Sequence, residues 1–310
     1  MQPQPTEPKP NMNQNVTDAT TVTVRDYMSP IRPTWCPGCG DFAIWAAIKN
    51  ALVALGKAPT EVALCFDIGC NGNMADKINA YVFKGLHGRV MPVAAGISLA
   101  NKNIPVIAVA GDGGTFDEGI HHLVHSIRSN YNITLILHNN CDFGLTTGQA
   151  TPTTPKGQKM NTSPNGVVED RLNPTQFALN LNASFVAKGF TGDLSHLNIM
   201  VKKAIEHKGF SYLEVLQHCP TYNEFLNQAW YKDRVYKVEE DKSYDPTNLE
   251  MAYKLSSFSQ ERIPTGVLYE RKESDAPIFL DRIEHLKANP ATLAEQVKQQ
   301  DVSALLEQFK

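Results

Sequence analysis

PVIAVAGDGG at residues 105–114 and ITLILHNN at residues 133–140 decide how this chain reads. The first is an unbroken apolar run stopped by Gly111-Asp112-Gly113, and the second stops at Asn139-Asn140. Apolar runs without polar alternation are the mark of strands covered on both faces of a parallel sheet. Between them, Ile120, Leu123, Val124 and Ile127 recur at helical spacing and form one apolar stripe. The three elements make a strand–helix–strand unit, whose crossover is expected to be right-handed. Asp112 and Asn140 then stand at the carboxyl ends of neighbouring strands, where open α/β sheets bind their ligands.

The alternation extends in both directions. Upstream, MSPIRPTWCPGCG (28–40) reads as a tightly turning segment. DFAIWAAIKNALVALG (41–56) reads as a helix with Asp41 as its N-cap, ending at Gly56. EVALCFDIG (61–69) is a strand candidate, followed by a turn around Cys70, and a small-residue helix falls within 88–101. Downstream, helices near 175–182 and 195–207 alternate with strands near 184–189 and 210–217. The expected fold is α/β, a doubly wound and mostly parallel sheet in a domain spanning residues 25–230. Residues 1–24, rich in Pro, Gln, Asn and Thr, are expected to be disordered. Residues 231–310, charged and without strong strands, read as a C-terminal arm that packs on a partner or on the core and ends in amphipathic helix. The polar stretch 150–172 is a loop long enough to imply function or disorder.

A net charge of −3 and a pI near 6.3 give no basic face for nucleic acid or an anionic membrane. No apolar run approaches the ~18 residues of a membrane helix, and the N-terminus has no apolar segment of the kind that directs export. The expectation is a cytoplasmic protein, in which the six cysteines are poor disulfide candidates.

Glycines flanking Asp112 let backbone approach a phosphate, and the helix start that follows favours negative charge. A carboxylate and an amide oxygen at such a place suit Mg²⁺, a hard cation that takes oxygen ligands and phosphates. Cys36 and Cys39 form a C-x-x-C, and Cys70 and Cys219 each close a strand candidate. Four convergent thiolates suit a [4Fe–4S] cluster. On spacing alone they suit zinc equally, and unligated thiols stay possible. Cys65 reads as a buried hydrophobe, and Cys141 as packing beside the metal ligands. His121 and His125 are helical neighbours with no third ligand at hand, so they read as exposed or capped.

GDG followed by NN resembles the binding signature of thiamine-diphosphate enzymes. That resemblance implies that Asp112 and Asn140 ligate Mg²⁺ by their side chains and Asp142 by its carbonyl. WCPGCG (35–40), DIGC (67–70), HGR (87–89), GDG (111–113), NN (139–140), GLTTGQ (144–149), CPTYN (219–223) and IPTGVLYE (263–270) occur in that order. Together they are similar to the β subunit of the 2-oxoacid:ferredoxin oxidoreductases, over roughly residues 28–270. The likeness implies that Cys36, Cys39, Cys70 and Cys219 hold a [4Fe–4S] cluster beside the thiamine ring. It puts His87 against the cofactor, with Arg89 available for a carboxylate or phosphate. Gly111, Gly113, Gly144, Leu145 and Thr146 are expected to line the cofactor, with Thr146 and Gln149 within reach of the diphosphate.

The implied reaction is CoA-dependent oxidative decarboxylation of a 2-oxoacid to acyl-CoA and CO₂, with the electrons leaving to ferredoxin, a separate carrier. The 2-oxoglutarate type is favoured over the pyruvate type. An α subunit is expected to supply the glutamate that activates the cofactor. The alternatives are a non-redox thiamine-diphosphate decarboxylase, which needs no iron, and a zinc-stabilised interaction subunit, which needs no thiamine diphosphate. Two departures from the family pattern stand out: Gly114 where an acidic residue is common, and Cys141-Asp142-Phe143 where apolar residues and a Tyr usually precede Gly144.

Overall fold

The structure, a computed structural model, describes residues 21–257, 261–298 and 301–309. Most of the tail read as disordered, residues 1–20, lies outside the described residues. In chain order the strands are β1 (Ala63–Phe66), β2 (Tyr81–Lys84), β3 (Val106–Gly111), β4 (Ile133–Asn139), β5 (Phe185–Phe190), β6 (Phe210–Leu216), β7 (Val235–Lys237) and β8 (Ile263–Glu270). The longer helices are α1 (Asp41–Ala54), α2 (Val90–Ala100), α3 (Ile120–Ser129), α4 (Pro174–Asn180), α5 (Leu194–Glu206), α6 (Gln228–Lys232) and α7 (Leu249–Ser256).

The strands form one sheet in the order β2-β1-β3-β4-β6-β5-β8-β7, parallel except for the antiparallel β5–β8 pair. The order reverses between β1 and β3, which opens the crevice where such sheets take their ligands. Every residue of β4 and β6 is buried, as an apolar run covered on both faces requires. One core packs α1 and α5 on one face through Ile44, Ile48, Leu52, Leu197 and Val201. The other packs α2, α3 and α4 on the opposite face through Met91, Ala94, Leu123, Ile127 and Leu179. Truncating a side chain such as Leu135, fully buried in β4, is expected to cost about 2–5 kcal/mol. Among the described residues no helix is long and apolar enough to cross a membrane.

Two local expectations are corrected. Asp41 is not the cap of α1: Gly40 occupies that position, and Asp41 turns its carboxylate inward to His138 at 2.7 Å. The segment after residue 230 is not without strands, since β7 and β8 both join the sheet. Residue 230 therefore does not mark the edge of the sheet. Pro264 and Gly266 break the apolar pattern of β8, whose burial comes instead from its place beside β5.

Candidate active site

β3 runs into the crevice and ends at Gly111, after which the chain turns at once into helix. Asp112 is thus held at a strand end and is almost fully buried. Its Oδ2 accepts hydroxyl hydrogen bonds from Thr151 and Thr153, each at 2.6 Å. Its Oδ1 is buried without a protein partner. Burial pushes the carboxyl up to about 6, and the two threonines offset part of that rise. A buried carboxylate with one clamped and one bare oxygen is a group prepared for a cation.

Asn140 follows the end of β4 and is buried beside Asp112. Asn223 donates to its main-chain carbonyl at 2.7 Å, and its side-chain oxygen receives the Asp142 N–H at 3.2 Å. Between them, Cys141 is buried in the left-handed region at φ 59°, a cost this tight turn requires. The preceding Asn139 does not face the crevice: its amide nitrogen donates to Glu214 at 2.7 Å.

The backbone over this site is bare because side chains would not fit. A Cβ on Gly113 would strike the Phe143 ring, and one on Gly111 would come within 2.8 Å of the Asn71 side chain. At Gly114, a Cβ would strike the Asp67 carboxylate and lie 3.0 Å from His87 Nε2. That crowding accounts for glycine at a position where the sequence pattern led us to expect an acidic residue. Asp67 is itself fully buried and anchors the following turn by accepting from Gly88 N at 2.8 Å. Burial pushes its carboxyl above the ordinary range.

One cavity gathers most of the expected residues: His87, Gly111, Asp112, Gly113, Asn140, Asp142, Gly144, Leu145, Thr146 and Cys70 all line it. Its volume is about 560 Å³ with its open mouth included. The His87 ring stands edge-on to Phe143, with centroids 5.8 Å apart. Arg89 is not in the lining. Its guanidinium donates to the carbonyls of Glu118 at 2.6 Å and Gly88 at 3.3 Å, so it braces the turn that carries His87. Gln149 and Thr146 bond to each other in an exposed turn.

Cys70 lines the same cavity, and the four thiols come from three turns around it. Cys36 and Cys39 precede α1, Cys70 follows β1, and Cys219 follows β6. Trp35 Nε1 donates to the Cys70 carbonyl at 2.8 Å, which ties the C-x-x-C turn to the Cys70 turn. Gln217 approaches the Cys39 sulfur at 3.6 Å. A Cβ on Gly144 would lie 3.5 Å from the Cys70 sulfur, 3.7 Å from that of Cys219 and 3.0 Å from Asp142 Oδ1. The Asp142 side chain therefore stands beside the Cys70 and Cys219 thiols. Burial pushes the thiols of Cys70 and Cys219 up to about 12, and it pushes Asp142 up to about 7, with Asp112 adding to that rise. Among the described residues, no three His, Cys, Asp or Glu side chains close tightly enough to hold a single metal ion. Cys65 is fully buried in β1, and Cys141 packs near Tyr231. On α3, the rings of His121 and His122 stack at 4.0 Å, and His125 meets the Tyr131 hydroxyl at 3.3 Å.

Sequence reasoning missed several residues. Thr151 and Thr153 lie in the long loop whose length implied function or disorder, and nothing in its composition singles them out. Asp41 and His138 form a fully buried pair that bridges the two halves of the site. Asp41 Oδ1 meets His138 Nδ1 at 2.7 Å, while its Oδ2 receives the Cys39 thiol at 3.3 Å. His138 Nε2 has no protein partner, and the ring lines the cavity. The two are 97 positions apart in the chain, a pairing no local pattern announces.

Comparison with known proteins agrees with this arrangement. Residues 67–215 match the family described as thiamine pyrophosphate enzyme, C-terminal TPP binding domain. Residues 219–288 match the C-terminal region of the pyruvate ferredoxin oxidoreductase β subunit. The chain is 37% identical over 282 residues to the β subunit of 2-oxoacid:ferredoxin oxidoreductase 2 of Aeropyrum pernix, covering 86% of this chain and 90% of that one. It is 35% identical over 218 residues to the 2-oxoglutarate oxidoreductase subunit KorB of Mycobacterium tuberculosis, covering 69% and 58%. A solved 2-oxoglutarate:ferredoxin oxidoreductase from Magnetococcus marinus, with 2-oxoglutarate, coenzyme A and succinyl-CoA bound, superposes with a TM-score of 0.83 at 31% identity. That match covers 94% of this chain and 97% of the other.

Proposed function

The chain belongs to the β subunits of the 2-oxoacid:ferredoxin oxidoreductases, and from that premise we propose a cofactor set, a substrate and residue roles. The cavity takes thiamine diphosphate with Mg²⁺ at the strand ends and a [4Fe–4S] cluster between the three cysteine-bearing turns. One observation carries this reading: Asp112, with its bare oxygen, and Cys70 line the same cavity, and the Cys219 sulfur lies behind Gly144 in its wall. Asp112 Oδ1, Asn140 Oδ1 and the Asp142 carbonyl would hold the cation, as hard oxygen donors suited to Mg²⁺. Cys36, Cys39, Cys70 and Cys219 would hold the cluster. Four cysteine thiolates are the ligand set of such a cluster.

Bound there, thiamine diphosphate supplies the electron sink that a 2-oxoacid needs to lose CO₂. This chain's own residues bind, orient and dry the site. Gly111, Gly113 and Gly114, which line the cavity, would offer bare backbone to the diphosphate. Ile68, Phe143 and Leu145 close the wall against water, and His87 presents a ring nitrogen beside them. Arg89 serves through the carbonyls it braces.

No glutamate lines the cavity among the described residues. This supports an α subunit that completes the site and activates the cofactor. The KorB relative and the Magnetococcus enzyme support 2-oxoglutarate as substrate, coenzyme A as acyl acceptor and ferredoxin as electron acceptor.

The test is iron, acid-labile sulfide, thiamine diphosphate and Mg²⁺ per β chain in the anaerobically purified complex, with an electron paramagnetic resonance spectrum after reduction. About four irons and four sulfides with the signal of a reduced cluster are expected. Zinc in place of iron removes the redox reading. Turnover by the β chain alone would refute the need for an α subunit. Faster turnover of pyruvate than of 2-oxoglutarate would reassign the substrate.

A further inference from the structure

The hydroxyl clamp on Asp112 does not end at Thr153. Thr153 Oγ1 also lies 3.1 Å from Asn139 Oδ1, and Asn139 Nδ2 donates to Glu214 Oε1 at 2.7 Å. Glu214, on β6, accepts from the Thr175 hydroxyl through its other oxygen and pairs with Lys188 Nζ of β5 at 3.2 Å. Lys188, Glu214, Asn139, Thr153 and Asp112 are all buried. A polar chain thus runs from β5 through β6 and β4 to the end of β3, inside an otherwise apolar sheet.

Burying an ion pair in a core is a poor way to gain stability, because apolar residues of the same volume do as well or better. This pair therefore calls for a role beyond stability, and its hydrogen bonds supply one. The opposite charge of Lys188, with Thr175 and Asn139 donating, holds the Glu214 carboxyl below its usual range despite burial. An ionised carboxylate accepts only from the nitrogen end of the Asn139 amide. The Asn139 oxygen must then face Thr153, whose single hydroxyl hydrogen is shared between that oxygen at 3.1 Å and Asp112 Oδ2 at 2.6 Å, and the two acceptors together fix its rotamer. The shorter contact is the one to the charged carboxylate, as charge-assisted bonds are.

We propose that Glu214 is a positioning residue of the cation–diphosphate site. Acting through Asn139 and Thr153, it sets the rotation of the Asp112 carboxylate, so that Oδ2 stays in the protein's hydrogen bonds and Oδ1 faces the cation. Lys188 keeps Glu214 in place. The inference rests on the reading of Asp112 as a cation ligand.

The experiment uses the α–β complex stripped of divalent cations, with Mn²⁺ as spin probe and thiamine diphosphate present, free Mn²⁺ being read by electron paramagnetic resonance. Asp112→Asn is the reference: loss of Mn²⁺ binding supports the ligand reading, and wild-type binding overturns that reading and this inference together. Thr153→Val cuts the chain next to Asp112 and leaves the ion pair intact. Glu214→Leu removes the far end. Each is expected to weaken Mn²⁺ binding about tenfold or more, the usual cost of losing a partner that orients a metal ligand. The double variant Glu214→Gln with Lys188→Met keeps an acceptor for Asn139 and removes both charges, and it is expected to restore most of the affinity. In Thr153→Val the apparent KM for Mg²⁺ should rise while kcat at saturating Mg²⁺ holds, a split that a loosened fold does not produce. If Thr153→Val binds Mn²⁺ as tightly as wild type while Asp112→Asn does not, the positioning role is overturned and the ligand reading stands. Should Glu214→Leu fail to fold, Thr153→Val and the double variant decide the matter.

Discussion

Asp112, Asn140, Thr151 and Thr153 meet at the ends of β3 and β4, buried and joined by short hydrogen bonds. Cys36, Cys39, Cys70 and Cys219 come from three turns and range from exposed to buried, held mainly by backbone contacts of their neighbours. The first half of the cavity is organised by the sheet before anything binds. The second is brought near by turns that the sheet does not organise. Rigid strand ends position ligands with more precision than loops do, whereas a cluster draws loop thiolates together and adds its binding energy to folding.

Removing one thiol should break the comparison most visibly. Cys219→Ala is expected to lose the cluster signal and ferredoxin reduction altogether, while Mg²⁺–thiamine diphosphate binding in the same complex stays close to wild type. Iron analysis and calorimetric titration check both halves at once. A joint loss would mean that the two halves are not independently organised.

Asp112→Asn makes the reverse cut. It removes the bare oxygen's charge, so cofactor affinity should fall by more than about 100-fold, a ligand counting for more than the residues that orient it. Iron content should be unchanged.

The pH dependence of the cofactor-free protein sharpens the contrast further. Asp112 and Asp142 are raised to about 6 and about 7, from roughly 3.9 in an unfolded chain. Between those limits the native state holds protons that the unfolded state has released, so stability falls as pH rises from about 4 to about 7. Thermal melts across that window should show the decline. Mg²⁺ with thiamine diphosphate should remove the part due to Asp112, because the cation takes the place of its proton. A melting temperature that climbs over the same range without cofactor would contradict the buried-acid account.

The smallest effect is expected at Arg89. Its guanidinium bonds to two carbonyls outside the cavity, an interaction worth about 1 kcal/mol or less for a partly exposed cation. Arg89→Lys should change kcat/KM within about fivefold. A much larger loss confined to KM for the 2-oxoacid would return Arg89 to the substrate site.

Reading residues in order recovered the frame of this protein because that frame is written locally. Buried strands show as apolar runs, the buried Asp112 as an acid between glycines at a strand end, and the thiols as cysteines in turns. β8 was missed because its Pro264 and Gly266 spoil the local pattern, and only pairing with β5 buries it. Asp41 looked like a helix cap because aspartate favours that position. His138 claims it instead, from a strand 97 positions away. Thr151, Thr153, Glu214 and Lys188 carry no signal in the chain, since hydroxyls and ion pairs gain a role only from what strand order sets beside them. The sequence by itself determined which segments are strands and helices and which residue types stand at their ends. The tertiary structure alone decided which of those residues touch, because contacts between distant segments follow from the order of strands in the sheet, and no local periodicity encodes that order.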